Sequence, residues 1–460
     1  MKKKHNPYAY PVLLGAVCLF MLVSCQNGYL GKKPDKSLLV PATPTDFQSL
    51  LDNFTVFNQS PGLPVISADE VQIPDDILET FGSPVEKNAY LWENDVYAGQ
   101  SVLDWNVSYQ QVFYANIVLE GLAANPGNGS AESRNNTKGE ALFWRSFAFY
   151  NLVNLFGKPY DPHASSTDPG IPLRLVSDVN QKVGRGTVQQ VYDQVLKDLK
   201  EAGSLLPVSA PYQSRPTSAA ASALLARICL SMGSFDEALA DATAALKLHP
   251  ALLDYNGLDA AADSPFPSSP AVSNPEMILY DHLNSYEMFL AQNLTVNPEL
   301  YRLYEPNDLR KDIFYSSDIL PYFKGRYTGF SLELFGGLAT DELYLIRAEC
   351  LARRGDRAAA LDDLNTLLLT RWKKGSYVPL TVGNTPDVLQ TVLMERQKEL
   401  AFRGLRWDDL KRLNKEPRFA KTLTRESGGQ TLSLPPGDKR YVMPIPADEI
   451  KGSGIAQNDR

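Results

Sequence analysis

The stretch ERQKELAFRGLRWDDLKRL, residues 395–413, carries ten charged side chains in nineteen positions, with Trp407 among them. Two carboxylates can cleave a glycosidic bond when they flank it roughly 5–9 Å apart. Asp408 and Asp409 are adjacent, so on a helix they point about 100° apart and make a poor acid–base pair. Leu393, Leu400, Ala401 and Gly404 recur at i, i+7, i+8 and i+11, one face of a helix. Gly404 permits a break, and Trp407, Leu410 and Leu413 begin a second apolar set. Between these positions Glu395 and Glu399 stand three or four residues from Lys398, Arg396 and Arg403, and Asp408 stands four from Arg412. The pattern predicts a helical scaffold laced with local ion pairs rather than a catalytic centre.

The remaining chemistry-bearing residues are sparse. His5, His163, His249 and His282 are scattered, with no HExxH or cysteine partners, so no metal ligation is expected. Acidic loops are compatible with calcium, but nothing in their spacing supports it, and no cofactor is expected. Cys229 and Cys350 fall in apolar helical patterns and read as buried free thiols. Spacing alone does not exclude their pairing.

The amino-terminal residues specify an address. Lys2, Lys3 and Lys4 precede the apolar run PVLLGAVCLFMLV, residues 11–23, which is shorter than the ~20 residues of a membrane span. The run ends in Leu22-Val23-Ser24-Cys25, a bacterial lipobox pattern that marks residues 1–24 as a signal peptide and Cys25 as the lipidated residue. Gln26, rather than aspartate, follows and favours outer-membrane delivery. Loss of residues 1–24 takes three lysines and no acid, moving the net charge from −8 to −11. So acidic a chain does not suit a nucleic-acid partner.

Residues 25–45 read as a lipidated tether and 46–460 as the folded domain. Phe47, Leu50, Leu51 and Phe54 recur at helical spacing, as do Trp105, Tyr109, Phe113 and Ile117. Residues 218–247 resemble 339–369: in each, seven residues separate an alanine (Ala226, Ala348) from a glycine (Gly233, Gly355), and a further alanine follows five later (Ala238, Ala360). Each unit is helix, glycine turn, helix, the logic of tetratricopeptide repeats. A looser unit pairs residues 139–157 with 187–206. The expected fold is dominated by α-helix, with helix pairs carrying long irregular insertions, roughly 60–100 and 250–337, as a ligand-binding half.

Segments in order along nearly the whole chain carry a family resemblance. Besides Cys25 they are WNVSYQQVFYANIVLEGL (105–122), EALFWRSFAFYNLVNLFGKPY (140–160), VYDQVLKDLKEAGSLLP (191–207), RPTSAAASALLARICLSMG (215–233), DLRKDIFY (308–315), DELYLIRAECLARRG (341–355), LNTLLLTRW (364–372), the opening cluster and YVMPIPADEIKGSGIAQND (441–459). The chain resembles the SusD/RagB family of Bacteroidetes surface lipoproteins. The resemblance implies four tetratricopeptide-like helix pairs and a nutrient-binding, non-enzymatic role as lid on a SusC-like TonB-dependent transporter. It also implies a surface-exposed lipoprotein anchored in the outer membrane. The family's FEG.R phrase appears here as Phe402-Arg403-Gly404, arginine replacing glutamate, with one local ion pair at stake.

A ligand site built from aromatic faces and a few polar groups is expected in the irregular half. The candidates are Tyr90, Trp92, Asn94 and Tyr97; Asn284 and Tyr286, with Tyr301 and Tyr304 following; and Tyr322 and Arg326 within the run 322–327. The expected ligand is a glycan, with a peptide, as in RagB, as the alternative. A surface glycosidase and a purely protein-binding scaffold are the remaining rivals; no glycine-framed nucleophile motif or spaced carboxylate pair supports the glycosidase.

Overall fold

Gly233 and Gly355 end the first helix of each repeated unit in the left-handed conformation, at φ 79° and 94°. There they turn Ser218–Met232 (α5) into Phe235–Leu248 (α6) and Thr340–Arg354 (α7) into Arg357–Leu368 (α8). The other long helices are Pro44–Leu51 (α1), Leu103–Ala124 (α2), Ala131–Phe156 (α3), Val188–Leu205 (α4), Val388–Glu399 (α9) and Arg406–Leu413 (α10). The computed structural model describes residues 41–268 and 274–460. The expected signal peptide, the lipidation site Cys25 and nearly all of the expected tether lie outside the described residues. The folded unit begins at Thr43, whose hydroxyl and Asp46 form a capping box at the start of α1.

Successive helices pack as neighbours, α2 on α3, α3 on α4, and so on to α7, which also takes α8 and α9. Ala226, Ala238, Ala242, Ala348 and Ala360 are fully buried at these contacts, which lets the paired backbones approach closely. Trp105 is core, edge-on to Phe156 at 4.8 Å. Cys229 and Cys350 are free and buried.

The rest is irregular. Among the described residues four two-stranded ladders, with short helices and turns, fill the segments between α1 and α2, between α3 and α4, between α6 and α7, and after α10. Gln59–Ser60 pairs in parallel with His282–Leu283, which joins two insertions distant in sequence. Among the described residues no helix is long and apolar enough to cross a membrane, and no group of three or more His, Cys, Asp or Glu is placed to hold a metal ion.

Candidate functional site

The opening cluster is scaffold, but its ion pairs are mostly long-range. Arg310, fully buried on the short helix Arg310–Phe314, meets Asp308 at 2.7 Å, Glu395 at 2.6 Å and Glu399 at 3.0 Å. Arg371 bridges Glu399 and Glu276, each at 2.7 Å. Arg396 meets Asp409 at 2.8 Å and Arg412 meets Glu349 at 2.7 Å. Of the local pairs the spacing predicts, Lys398–Glu395 forms; Asp408 instead accepts from the Tyr150 hydroxyl, and Arg412 takes Asp409. The network ties α9 and α10 to the irregular insertions. At the turn after α9, Phe402 (φ 60°) and Gly404 (φ 74°) are left-handed. Arg403 reaches back to Asp341 at 2.5 Å and lies 4.6 Å from the Tyr327 ring. The arginine in place of the family's glutamate therefore has its own buried carboxylate.

The same turn carries a pH-sensitive carboxyl. Glu70 accepts the Phe402 N–H at 3.0 Å, and burial pushes its pKa up to about 8 from an ordinary 4.5. Below about 4.5 both folded and unfolded chains hold the proton, and Glu70 contributes no pH dependence. Between 4.5 and 8 the unfolded chain releases it while the folded chain does not, so stability falls as pH rises and the loss is complete above 8. Glu140 and Asp281, both pushed to about 7 by burial, act in the same direction. The expected result is a melting temperature that drops from pH 6 to 8.5, with a flatter profile for Glu70→Gln. An unchanged profile in that variant contradicts the assignment.

Most of the expected ligand residues are placed in the core, a correction to the aromatic platform read from residues 90–97. Tyr90 and Trp92 are almost fully buried; the Ile73 N–H donates to the Tyr90 hydroxyl, and the Trp92 indole N–H donates to Ser67 O at 2.9 Å. Arg425, from the hairpin 423–434, covers both rings with its guanidinium, 3.9 Å and 4.4 Å from their centroids. Tyr97 is buried and donates to Pro444 O, and Asn284 is buried against Asp104. Tyr304 is buried, donating to Lys398 O. Arg326 is buried, among the described residues without a carboxylate partner; it donates to Phe289 O, and burial lowers its pKa to about 10. Asn94 is exposed; Tyr286, Tyr301 and Tyr322 are half-buried. The ring of Tyr286 packs on Phe289, and its hydroxyl donates to Asp104. These ten residues do not make one exposed surface, since six of them are buried.

A different aromatic face is accessible. Helix α1 ends at Leu51, short of Phe54, which the helical spacing had placed on its apolar face. The loop that follows buries Val56 and Phe57 and turns at Asn58, which is left-handed (φ 60°). The Asn58 amide donates to Ser214 O and Tyr280 O, at 2.9 and 2.7 Å. Phe54, between these anchors, is 42% exposed. Beside it Tyr280 and His282 alternate with buried Asp281 and Leu283, so both rings point outward. The Phe54 centroid lies 5.4 Å from that of Tyr280 and 5.7 Å from that of His282. Tyr212, 66% exposed, adjoins through Gln213, whose carbonyl takes the Tyr280 N–H at 2.7 Å. Polar groups frame the rings: Glu333 accepts from the Tyr280 hydroxyl, and Arg215 holds Asp52 with two hydrogen bonds, 2.7 and 2.6 Å. Burial and the Glu333 hydrogen bond raise the Tyr280 pKa, keeping it a neutral donor. Sequence reasoning missed this face. Its one local signal is the alternation Tyr280-Asp281-His282-Leu283, with aromatic rings two residues apart.

Two family models match the chain. One, described as starch-binding associating with outer membrane, covers residues 28–230; the other, the SusD family, covers 341–459. The chain belongs to the SusD/RagB family. A SusD-like protein, P2, from Formosa agariphila is 24% identical over 424 residues, 77% of this chain and 79% of its own. The SusD-type fold is shared with solved structures. A putative sugar binding protein from Bacteroides vulgatus superposes with a TM-score of 0.73 at 21% identity, covering 91% of this chain and 99% of that one. A SusD superfamily protein from Bacteroides thetaiotaomicron gives 0.73 at 22%, covering 91% and 100%. A SusD-like carbohydrate binding protein from Bacteroides vulgatus gives 0.67 at 18%, covering 90% and 97%.

Proposed function

We propose that this SusD-like chain binds a glycan without processing it, on the face made by Phe54, Tyr212, Tyr280 and His282. The observation that carries the reading is a cluster of accessible rings framed by carboxylate, guanidinium and amide groups. Sugar C–H faces stack on such rings, and their hydroxyls need such polar partners. Two structural neighbours, a putative sugar binding protein and a SusD-like carbohydrate binding protein, support a glycan over a peptide. In this reading Cys25 is lipidated, the protein sits at the outer-membrane surface, and it delivers the glycan as a lid to a SusC-like TonB-dependent transporter. Asn94, Tyr286 and Tyr322 keep accessible atoms and stand as separate candidate points of ligand contact. The test is a calorimetric titration with neutral oligosaccharides and peptides in parallel. Saturable binding of an intact oligosaccharide is the expected outcome. Binding of peptides alone points instead to a RagB-like peptide carrier, and hydrolysis of the oligosaccharide contradicts a binding-only role.

A further inference from the structure

A second concave region lies at the far end of α10 and shares no lining residue with the aromatic face. It is a cleft of about 540 Å³ between the loop after α3, the end of α10 and the carboxy-terminal segment. Lys158, Lys411, Lys415 and Lys439 line it together with Asp161, Asp168, Asp438 and Asp459. Lys411 is buried, and its ammonium donates to Asn154 O and Gly157 O, capping the carboxy-terminal end of α3. Lys415 donates to Tyr160 O at 2.5 Å. An ammonium has three N–H donors, so both lysines keep spare ones. The buried Tyr441 hydroxyl takes a side-chain hydrogen bond from Asn414, whose Oδ1 accepts the Lys421 N–H; among the described residues the Tyr441 O–H and the second amide N–H of Asn414 remain to donate.

Three of these four acids already hold a cation. Asp168 meets Lys158 at 2.6 Å, Asp438 meets Arg440 at 2.9 Å and Asp459 meets Lys439 at 3.5 Å. Asp161 accepts the His163 N–H at 2.9 Å and acts on Lys415 only through its field. Among the described residues, Lys411 and Lys415 have no carboxylate within ion-pair distance. Asp408 acts on both lysines only through its field, so two cations held partly out of water have no ion-pair partner, and a bound anion relieves that cost.

We propose that this cleft is an oxyanion-binding site, in which Lys411, Lys415, Asn414 and Tyr441 donate to a carboxylate or sulfate group. Burial already lowers the Lys411 pKa to about 8 and lowers that of Lys415, consistent with cations that lack a partner. The ligand is then acidic: either a sugar bearing a carboxylate or sulfate, or a free inorganic oxyanion.

The experiment is calorimetric titration of the full chain in detergent with sodium galacturonate, sodium sulfate and glucose at constant ionic strength. Lys411→Met removes a helix cap and is avoided; Lys415→Gln and Tyr441→Phe are used, each checked by thermal melting. Saturable binding of an anion, weakened about tenfold in each variant, is expected, with no binding of glucose. Galacturonate binding without sulfate binding assigns the site to an acidic sugar, whereas equal binding of sulfate assigns it to the bare oxyanion. No anion binding, glucose binding as tightly as galacturonate, or variants that bind like the parent overturns the proposal. Phe54→Ala leaves anion binding unchanged, so failure of the aromatic-face reading and failure of this one are separable.

Discussion

Arg310→Ala lowers the unfolding free energy by about 3–5 kcal/mol or abolishes folding. The guanidinium is fully buried and pairs with Asp308, Glu395 and Glu399 at once. Removing it leaves three buried carboxylates facing one another, and Lys398, bonded to Asp308 and Glu395, compensates only two of them. Arg371, the other arginine on Glu399, is likewise shared with Glu276. The comparison variant is Lys138→Ala, which breaks the exposed pair Lys138–Glu201 and costs less than about 1 kcal/mol. Urea denaturation of the two side by side checks both values. A loss below about 1 kcal/mol for Arg310→Ala means the network is not what joins the helical half to the insertions.

Trp92→Ala destabilises by about 3–5 kcal/mol through the cavity it opens under Arg425. The indole loses its hydrogen bond to Ser67, and the buried guanidinium loses one of the two rings it lies over. The effect is on folding and not on recognition. Folded Trp92→Ala, selected at low temperature, is expected to bind glycan like the parent. Denaturation midpoints give the first quantity and titration the second. A variant of unchanged stability that loses glycan binding restores residues 90–97 as the site.

The helical half was legible in the sequence because its signals are local. Small residues and a glycine at repeated spacing place two helix pairs, and Gly233 and Gly355 turn where that spacing predicts. The ion pairs of residues 395–413 were legible as scaffold but not as partners, because Glu395 and Glu399 are met from residues 310 and 371. The candidate site was the least legible part. An aromatic residue in a loop reads the same whether it faces water or is covered by an arginine more than 300 residues away, as Tyr90 and Trp92 are by Arg425. Phe54 misled in the opposite direction. Its spacing from Phe47 and Leu51 fits a helix, but the helix ends at Leu51 and the ring is left exposed.

The most direct measurement is the affinity of Phe54→Ala for whichever oligosaccharide the parent binds best. Phe54 lies between two anchored segments and makes no hydrogen bond through its side chain, so its truncation leaves the fold intact. Loss of one stacking ring predicts a weakening of about tenfold, with an unchanged melting profile. Unchanged affinity in a folded Phe54→Ala contradicts the account and moves the ligand elsewhere.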